Sequence, residues 1–173
     1  ISKYIKIAYI PQEIFLIDDT FVQNIALCDN EKNIDYEKIN YALESAKLKD
    51  FINTLPIGIH SQIGERGINL SGGQRQRIAI ARAIYKSPSI FIFDDCLSAV
   101  DSSKEQKILA NLKKETKKRT TIIISHRISV IQNADLIIVL EDGNLTAQGK
   151  HQELLENKGF YYDIFRKQNK KDS

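Results

Sequence analysis

The chain has 173 residues, enough for one domain with a sizeable core. Hydrophobic residues make up 42% and charged residues 27%, the balance of an ordinary soluble globular protein. The net charge of +3 is too small to point by itself to nucleic acid or a membrane surface, and no apolar run reaches the ~18–20 residues of a membrane span. Cys28 and Cys96 share no metal or redox spacing, and two isolated cysteines point to a reducing compartment. The basic run KKETKKR (113–119) lies between a helical pattern and a strand, and reads as a solvated helix end rather than a nucleic-acid patch. No signal peptide is visible. The chain lacks methionine and begins ISKYIKIAYIPQ inside a strand pattern, so a piece of a longer protein is expected.

In chain order, YIKIAYI (4–10) alternates in isoleucine and tyrosine and predicts a strand that Pro11 ends. Thr20 can cap a short helix over FVQNIAL. Asp35 can cap a longer one whose apolar face carries Ile39, Ala42, Leu43 and Ala46. Residues 56–70, with Pro56 and three glycines, read as a loop. Ser71 opens a helix to about Lys86, which Pro88 blocks. SIFIF (89–93) is a continuous apolar run, as expected for a strand buried on both faces. A helix over about 102–114 turns Ile108, Leu109 and Leu112 inward, and TTIIIS (120–125) predicts another apolar strand. A short helix near 128–132 leads to a hairpin turning at Asp142-Gly143, and two amphipathic helices near 150–157 and 159–169 finish the chain. Strands alternating with helices, some dry on both faces, predict an α/β fold with a mainly parallel sheet.

LSGGQRQR (70–77) puts a hydroxyl and two glycines at the first turn of a helix. Unpaired backbone N–H groups and the positive end of the helix dipole favour an anion there. Glycine lets a phosphate come close to the backbone, and Ser71 adds a donor. On these residues alone, a plain N-cap explains the turn equally well. The octet, however, is the signature motif of ATP-binding cassette (ABC) ATPases, and nearly the whole chain resembles an ABC nucleotide-binding domain from its Q-loop onward. YIPQEIFLIDDTFVQNI resembles the Q-loop, with Gln12. IGERG (63–67) resembles the X-loop of exporters, with Glu65 and Arg66. IFIFDD (90–95) matches Walker B, SAVD (98–101) resembles the D-loop with Asp101, and SHR (125–127) holds the switch histidine, His126.

The resemblance implies a P-loop NTPase-like sheet with an inserted α-helical signature subdomain. Residues of about 12–86 would form the Q-loop and helical subdomain, and about 1–11 with 87–173 the remaining core. It also implies ATP and Mg²⁺ as cofactors. A strand ending in an acid places that carboxylate at the sheet's carboxyl edge, where α/β ligands bind, and Asp94 would there hold hydrated Mg²⁺. In most of the family the next residue is a glutamate that orients or deprotonates the attacking water. Here it is Asp95, one methylene shorter, and a misplacement near 1 Å can cost ~10²-fold. A slow, degenerate site is therefore expected. By the same resemblance, His126 hydrogen-bonds the γ-phosphate, and Gln12 meets Mg²⁺ and water and links to the transmembrane partner. Ser71, Gly72, Gly73 and Gln74 touch the ATP of a second domain, and Asp101 faces that domain. Arg75 and Arg77 are expected to brace the signature helix.

A nucleotide site of this family also needs a Walker A loop, GxxxxGK[ST]. The nearest approach, GNLTAQGKH from Gly143, has five residues between its glycines and falls in the predicted hairpin, so it does not qualify. The isolated chain is therefore expected to bind ATP poorly and to be inactive, with exposed apolar surface where upstream strands would pack. An intact signature beside an altered residue after Walker B resembles one half of an asymmetric exporter. That implies a non-identical second nucleotide-binding domain, transmembrane domains reached through the Gln12 and Glu65/Arg66 loops, and a location on the cytoplasmic face of a membrane. DDCLSAVD resembles the first nucleotide-binding domain of multidrug-resistance-associated exporters, whereas the tail from Ala134 is similar to bacterial multidrug exporters. The rival readings are an ABC importer ATPase and a non-transport ABC ATPase of DNA repair or translation. The GERG loop argues against the first and the lack of coiled-coil insertions against the second.

Overall fold

The computed structural model describes residues 5–27, 31–96, 108, 110–111 and 119–169, with Glu31 and Arg66 described by backbone alone. The chain divides into two compact units, Ile1–Ile124 and Ser125–Ser173.

In the first unit, the chain runs through β1 (Ile7–Ile10), α1 (Phe21–Ala26), α2 (Tyr36–Ser45), α3 (Lys49–Asn53), α4 (Gly72–Lys86), β2 (Ile90–Asp94) and β3 (Thr120–Ile124). The helix starts follow from local chemistry. Thr20 accepts from the Gln23 amide at 3.2 Å and Asp35 from the Lys38 amide at 3.1 Å, each meeting one of the donors a helix start leaves open. The α4 helix stops at Ser87, which turns left-handed at φ 47° one residue before Pro88. The short α3 and the 3₁₀ turns Gly58–His60 and Glu65–Gly67 add local helical structure between α2 and α4. Of the helix predicted over 102–114, only Ile108, Ala110 and Asn111 are described; they are helical, and Ile108 is fully buried.

The three strands form a parallel sheet in the order β1-β2-β3. Parallel pairing needs a crossover, which the helices between β1 and β2 supply. The α4 helix packs on β1 and also on α1 and α2, and Ile78 and Ile80 of α4, Ile10 of β1, Ile25 of α1, and Ile39 and Leu43 of α2 are all buried. On that face Phe91 and Phe93 stack with ring centroids 5.7 Å apart. The opposite face departs from the two-sided burial expected of SIFIF. Ile90 and Ile92 are only half-buried, and Ile7, Tyr9, Ile122 and Ile124 beside them are exposed. Residues alternate in direction along a strand, so one covering layer buries one set only, and nothing among the described residues covers the second.

The second unit contains α5 (Ile128–Ile131), β4 (Ile137–Glu141), β5 (Asn144–Gly149), α6 (His151–Glu156) and α7 (Phe160–Asn169). β4 and β5 pair antiparallel through Asp142 and Gly143, both at positive φ (50° and 78°), as a twisted two-residue hairpin requires. Its core is Ile128, Ile137, Val139, Leu154 and Tyr161.

Candidate functional site

The signature turn is built locally. Ser71 is the N-cap of α4: its Oγ accepts from the Gln74 amide at 3.2 Å, while Gln74 Oε1 accepts from the Ser71 amide at 2.7 Å. This reciprocal capping box fixes the first turn with residues three apart in sequence. Arg75 Nη1 donates to the Leu70 carbonyl at 2.6 Å, and Arg77 donates to the carbonyls of Gly73 and Lys47. Both arginines thus brace the helix, as expected. Gly72 and Gly73 have ordinary helical conformations and are absent from the chain's positive-φ residues. The backbone there does not require glycine, which costs roughly 0.5–1 kcal/mol against alanine inside a helix. Two adjacent glycines at the start of α4 are thus not called for by the backbone conformation.

The carboxylate pair is built from long-range contacts. β1, β2 and β3 run parallel, so their carboxyl ends share one edge. Asp94 is the last residue of β2 and pairs with Ile124, the last of β3; Ile10 pairs with Phe93, so Gln12 leaves the sheet at the same edge. The structure therefore brings Gln12, Asp94 and Asp95 to one side of the sheet, with Gln12 exposed and both aspartates half-buried. The Tyr9 hydroxyl donates to Asp94 Oδ2 at 2.7 Å. That bond, with smaller contributions from desolvation and the carboxylate's charge, raises the Tyr9 hydroxyl above its ordinary range. Asp95 sits just past the strand at φ 43°, a left-handed conformation that aspartate tolerates better than most residues, and its amide donates to the Ile124 carbonyl at 2.8 Å. Behind the pair, burial pushes the Cys96 thiol up to about 12, with the two aspartates adding to the effect.

Among the described residues no group of three or more His, Cys, Asp and Glu side chains is gathered. This edge instead offers two carboxylates and an amide, all hard oxygen donors. Such a set fits Mg²⁺, which is held by one or two carboxylates together with waters and substrate phosphates rather than in an all-protein cage.

His126 belongs to the second unit and is exposed. Its segment is strapped by α7: Gln168 Nε2 donates to the His126 carbonyl at 2.6 Å, and Gln168 Oε1 accepts from the Ile128 amide at 3.0 Å. Ser125 Oγ accepts from the Arg127 amide at 3.0 Å. In the first unit, Glu65 is exposed on its 3₁₀ turn, and Leu16, four residues past Gln12, packs under Gly67 of the same turn. Asp101 and the rest of SAVD lie outside the described residues, as do Cys28 and the Arg66 side chain.

Sequence reasoning missed Tyr9 and Gln168. It also missed Asn24, fully buried, whose side chain exchanges hydrogen bonds with both backbone groups of Ile17 at 3.0 Å. Arg82 of α4 donates to the Asn24 carbonyl at 2.8 Å and to the Phe15 carbonyl at 3.3 Å, tying the segment after Gln12 to the signature helix. A polar residue on an otherwise apolar helix face was the available signal for Asn24. Nothing short of strand register could have paired Tyr9 with Asp94.

A family model described as ABC transporter matches residues 2–98. The chain is 44% identical over 162 residues to the ATP-dependent lipid A-core flippase of Ralstonia nicotianae, covering 93% of this chain and 27% of that protein. It is 42% identical over 159 residues to ATP-binding cassette sub-family B member 5 of Homo sapiens, covering 92% of this chain and 13% of that protein. The solved structure of a bacterial Atm1-family ABC exporter with ATP bound superposes with a TM-score of 0.90 at 40% identity, over 95% of this chain and 29% of that one. The chain thus spans between about an eighth and a third of the length of these relatives. Its sheet and flanking helices have the P-loop NTPase-like architecture expected of it. By its signature helix, its acid-tipped strand and these matches, the chain belongs to the ABC transporter family.

Proposed function

We propose that this chain is part of the ATP-binding and ATP-hydrolysing domain that drives an ABC exporter. The observation that carries this reading is the pairing of a fully formed signature turn with a carboxylate-tipped strand in a fold 40% identical to an ATP-bound exporter. In the working protein Asp94 holds Mg²⁺ on the nucleotide, Gln12 contacts the metal and its water, and His126 hydrogen-bonds the γ-phosphate. Ser71, Gly72, Gly73 and Gln74 close on the ATP of a second nucleotide-binding domain, which Asp101 also faces. Residues of about 12–86 act as the helical subdomain and the remainder as the core. The isolated chain, without a Walker A loop, is idle.

Transmembrane domains of the same transporter dock through the Gln12 loop and the Glu65/Arg66 loop, which puts the domain on the cytoplasmic face of the membrane. Two observations support that docking surface. Phe15 and Ile68, beside the two loops, are 68% and 79% exposed, and Leu16 packs one loop on the other. Exposed apolar groups next to a polar loop suit a partner interface.

Asp95 makes the site degenerate, and the second nucleotide-binding domain is non-identical, supplying the glutamate this chain lacks. Asp95→Glu tests this in the full-length assembly. A glutamate restores the reach of a general base, so turnover at this site rises by about tenfold, a part of the ~10²–10⁴-fold that a fully effective group supplies. Unchanged single-site turnover, measured with the partner's own site inactivated, would refute the degenerate assignment.

A further inference from the structure

We propose that Tyr9 is a positioning residue for Asp94, setting the orientation in which that carboxylate receives the metal ion of bound nucleotide. The inference rests on the reading of Asp94 as a magnesium-holding residue given above.

Strand register puts the two residues together. Tyr9 pairs with Ile92, and Asp94 lies two residues further along β2, on the same face of the sheet. An aliphatic side chain at position 9 would stop short of that diagonal neighbour, whereas tyrosine spans it and ends in a donor. The result is the 2.7 Å bond from the Tyr9 hydroxyl to Asp94 Oδ2. Hydrogen bonds to an ionised acceptor are the stronger kind and fix direction as well as distance.

Asp94 needs such a restraint. The torsion that turns an aspartate's carboxylate is broad, so a residue at a half-buried strand end does not select one orientation by packing alone. Among the described residues, Tyr9 is the side chain that hydrogen-bonds this carboxylate. What distinguishes tyrosine at this position is the hydroxyl that reaches the carboxylate. With one oxygen committed to Tyr9, the other is the one left for the metal ion.

The test uses the full-length transporter with Mn²⁺ as a spectroscopic probe for Mg²⁺. Bound Mn²⁺ is counted by electron paramagnetic resonance in the presence of a non-hydrolysable ATP analogue, and the Mg²⁺ dependence of nucleotide binding is measured in parallel. Tyr9→Phe keeps the ring and removes only the donor. It is expected to weaken Mn²⁺ binding by about three- to tenfold and to raise the half-saturating Mg²⁺ concentration equally, while affinity for metal-free nucleotide and the Tm stay unchanged. In an Asp94→Asn background the same substitution is expected to add nothing. The proposal is overturned if Tyr9→Phe leaves Mn²⁺ affinity within twofold of the parent while Asp94→Asn weakens it. It is equally overturned if the Tyr9→Phe effect persists undiminished beside Asp94→Asn, since the tyrosine would then act by another route. An Asp94→Asn protein with parental metal affinity would instead refute the reading of Asp94, and this inference with it.

Discussion

The signature turn and the carboxylate edge solve the same problem, holding polar groups ready at the end of an element, by opposite means. At the start of α4 the partners lie within the motif: Ser71 and Gln74 cap each other across three residues, and Arg75 reaches back to Leu70. At the end of β2 the partners come from other strands, Tyr9 from 85 residues earlier in sequence and Ile124 from β3. The first arrangement survives as a cassette wherever the helix forms. The second exists only once the parallel sheet has paired in register. A turn whose partners lie within the motif is thus internally stiff, while a carboxylate held by other strands depends on the whole sheet.

Substitutions can separate these two designs. The largest effect is expected from Gly73→Ala in the full-length protein. On the proposed reading that phosphate meets the backbone here, a methyl group should lower ATP turnover by about a hundredfold, the scale of a 1 Å misplacement. The fold should be unharmed or stabilised by about 0.5–1 kcal/mol, since alanine suits a helix better than glycine. A Tm that falls together with activity would show that the glycine serves packing instead. Gly67→Ala should have the next effect. At φ +70° a Cβ would lie 2.9 Å from Leu16 Cδ1, so strain and collision together should cost about 1–3 kcal/mol in chemical denaturation, and a loss below about 0.5 kcal/mol would contradict the contact. Ser71→Ala should be smaller, about 1 kcal/mol from the lost cap, with helix content retained by circular dichroism because Arg75 and Arg77 still brace the first turns.

The same contrast explains what could be read from the residues alone. Helix starts at Thr20, Asp35 and Ser71 were legible because capping is written within four residues. The strand at Ile90–Asp94 and the Asp142-Gly143 turn were legible from an apolar run and a turn pair. The open face of the sheet was not. An apolar run signals that a strand prefers burial on both sides, and the layer that would cover Ile122 and Ile124 does not appear among the described residues. Tyr9 read simply as a β-forming residue, because its meeting with Asp94 depends on register. Asp95 was legible as a shortened glutamate but not as a left-handed residue. Its conformation sharpens the Asp95→Glu experiment, since the longer acid gains reach at a φ that aspartate accepts more readily than glutamate.

The strap that Gln168 lays across residues 126–128 has one more consequence. It grips main-chain groups only, the carbonyl of His126 and the amide of Ile128. The path of that loop is therefore indifferent to which side chain stands at position 126. In a saturation library every residue there except proline should yield a folded protein, and selection for folding alone would return no preference for histidine. Any preference that a selection for transport returns at 126 would then measure the chemistry of the imidazole, with architecture already subtracted.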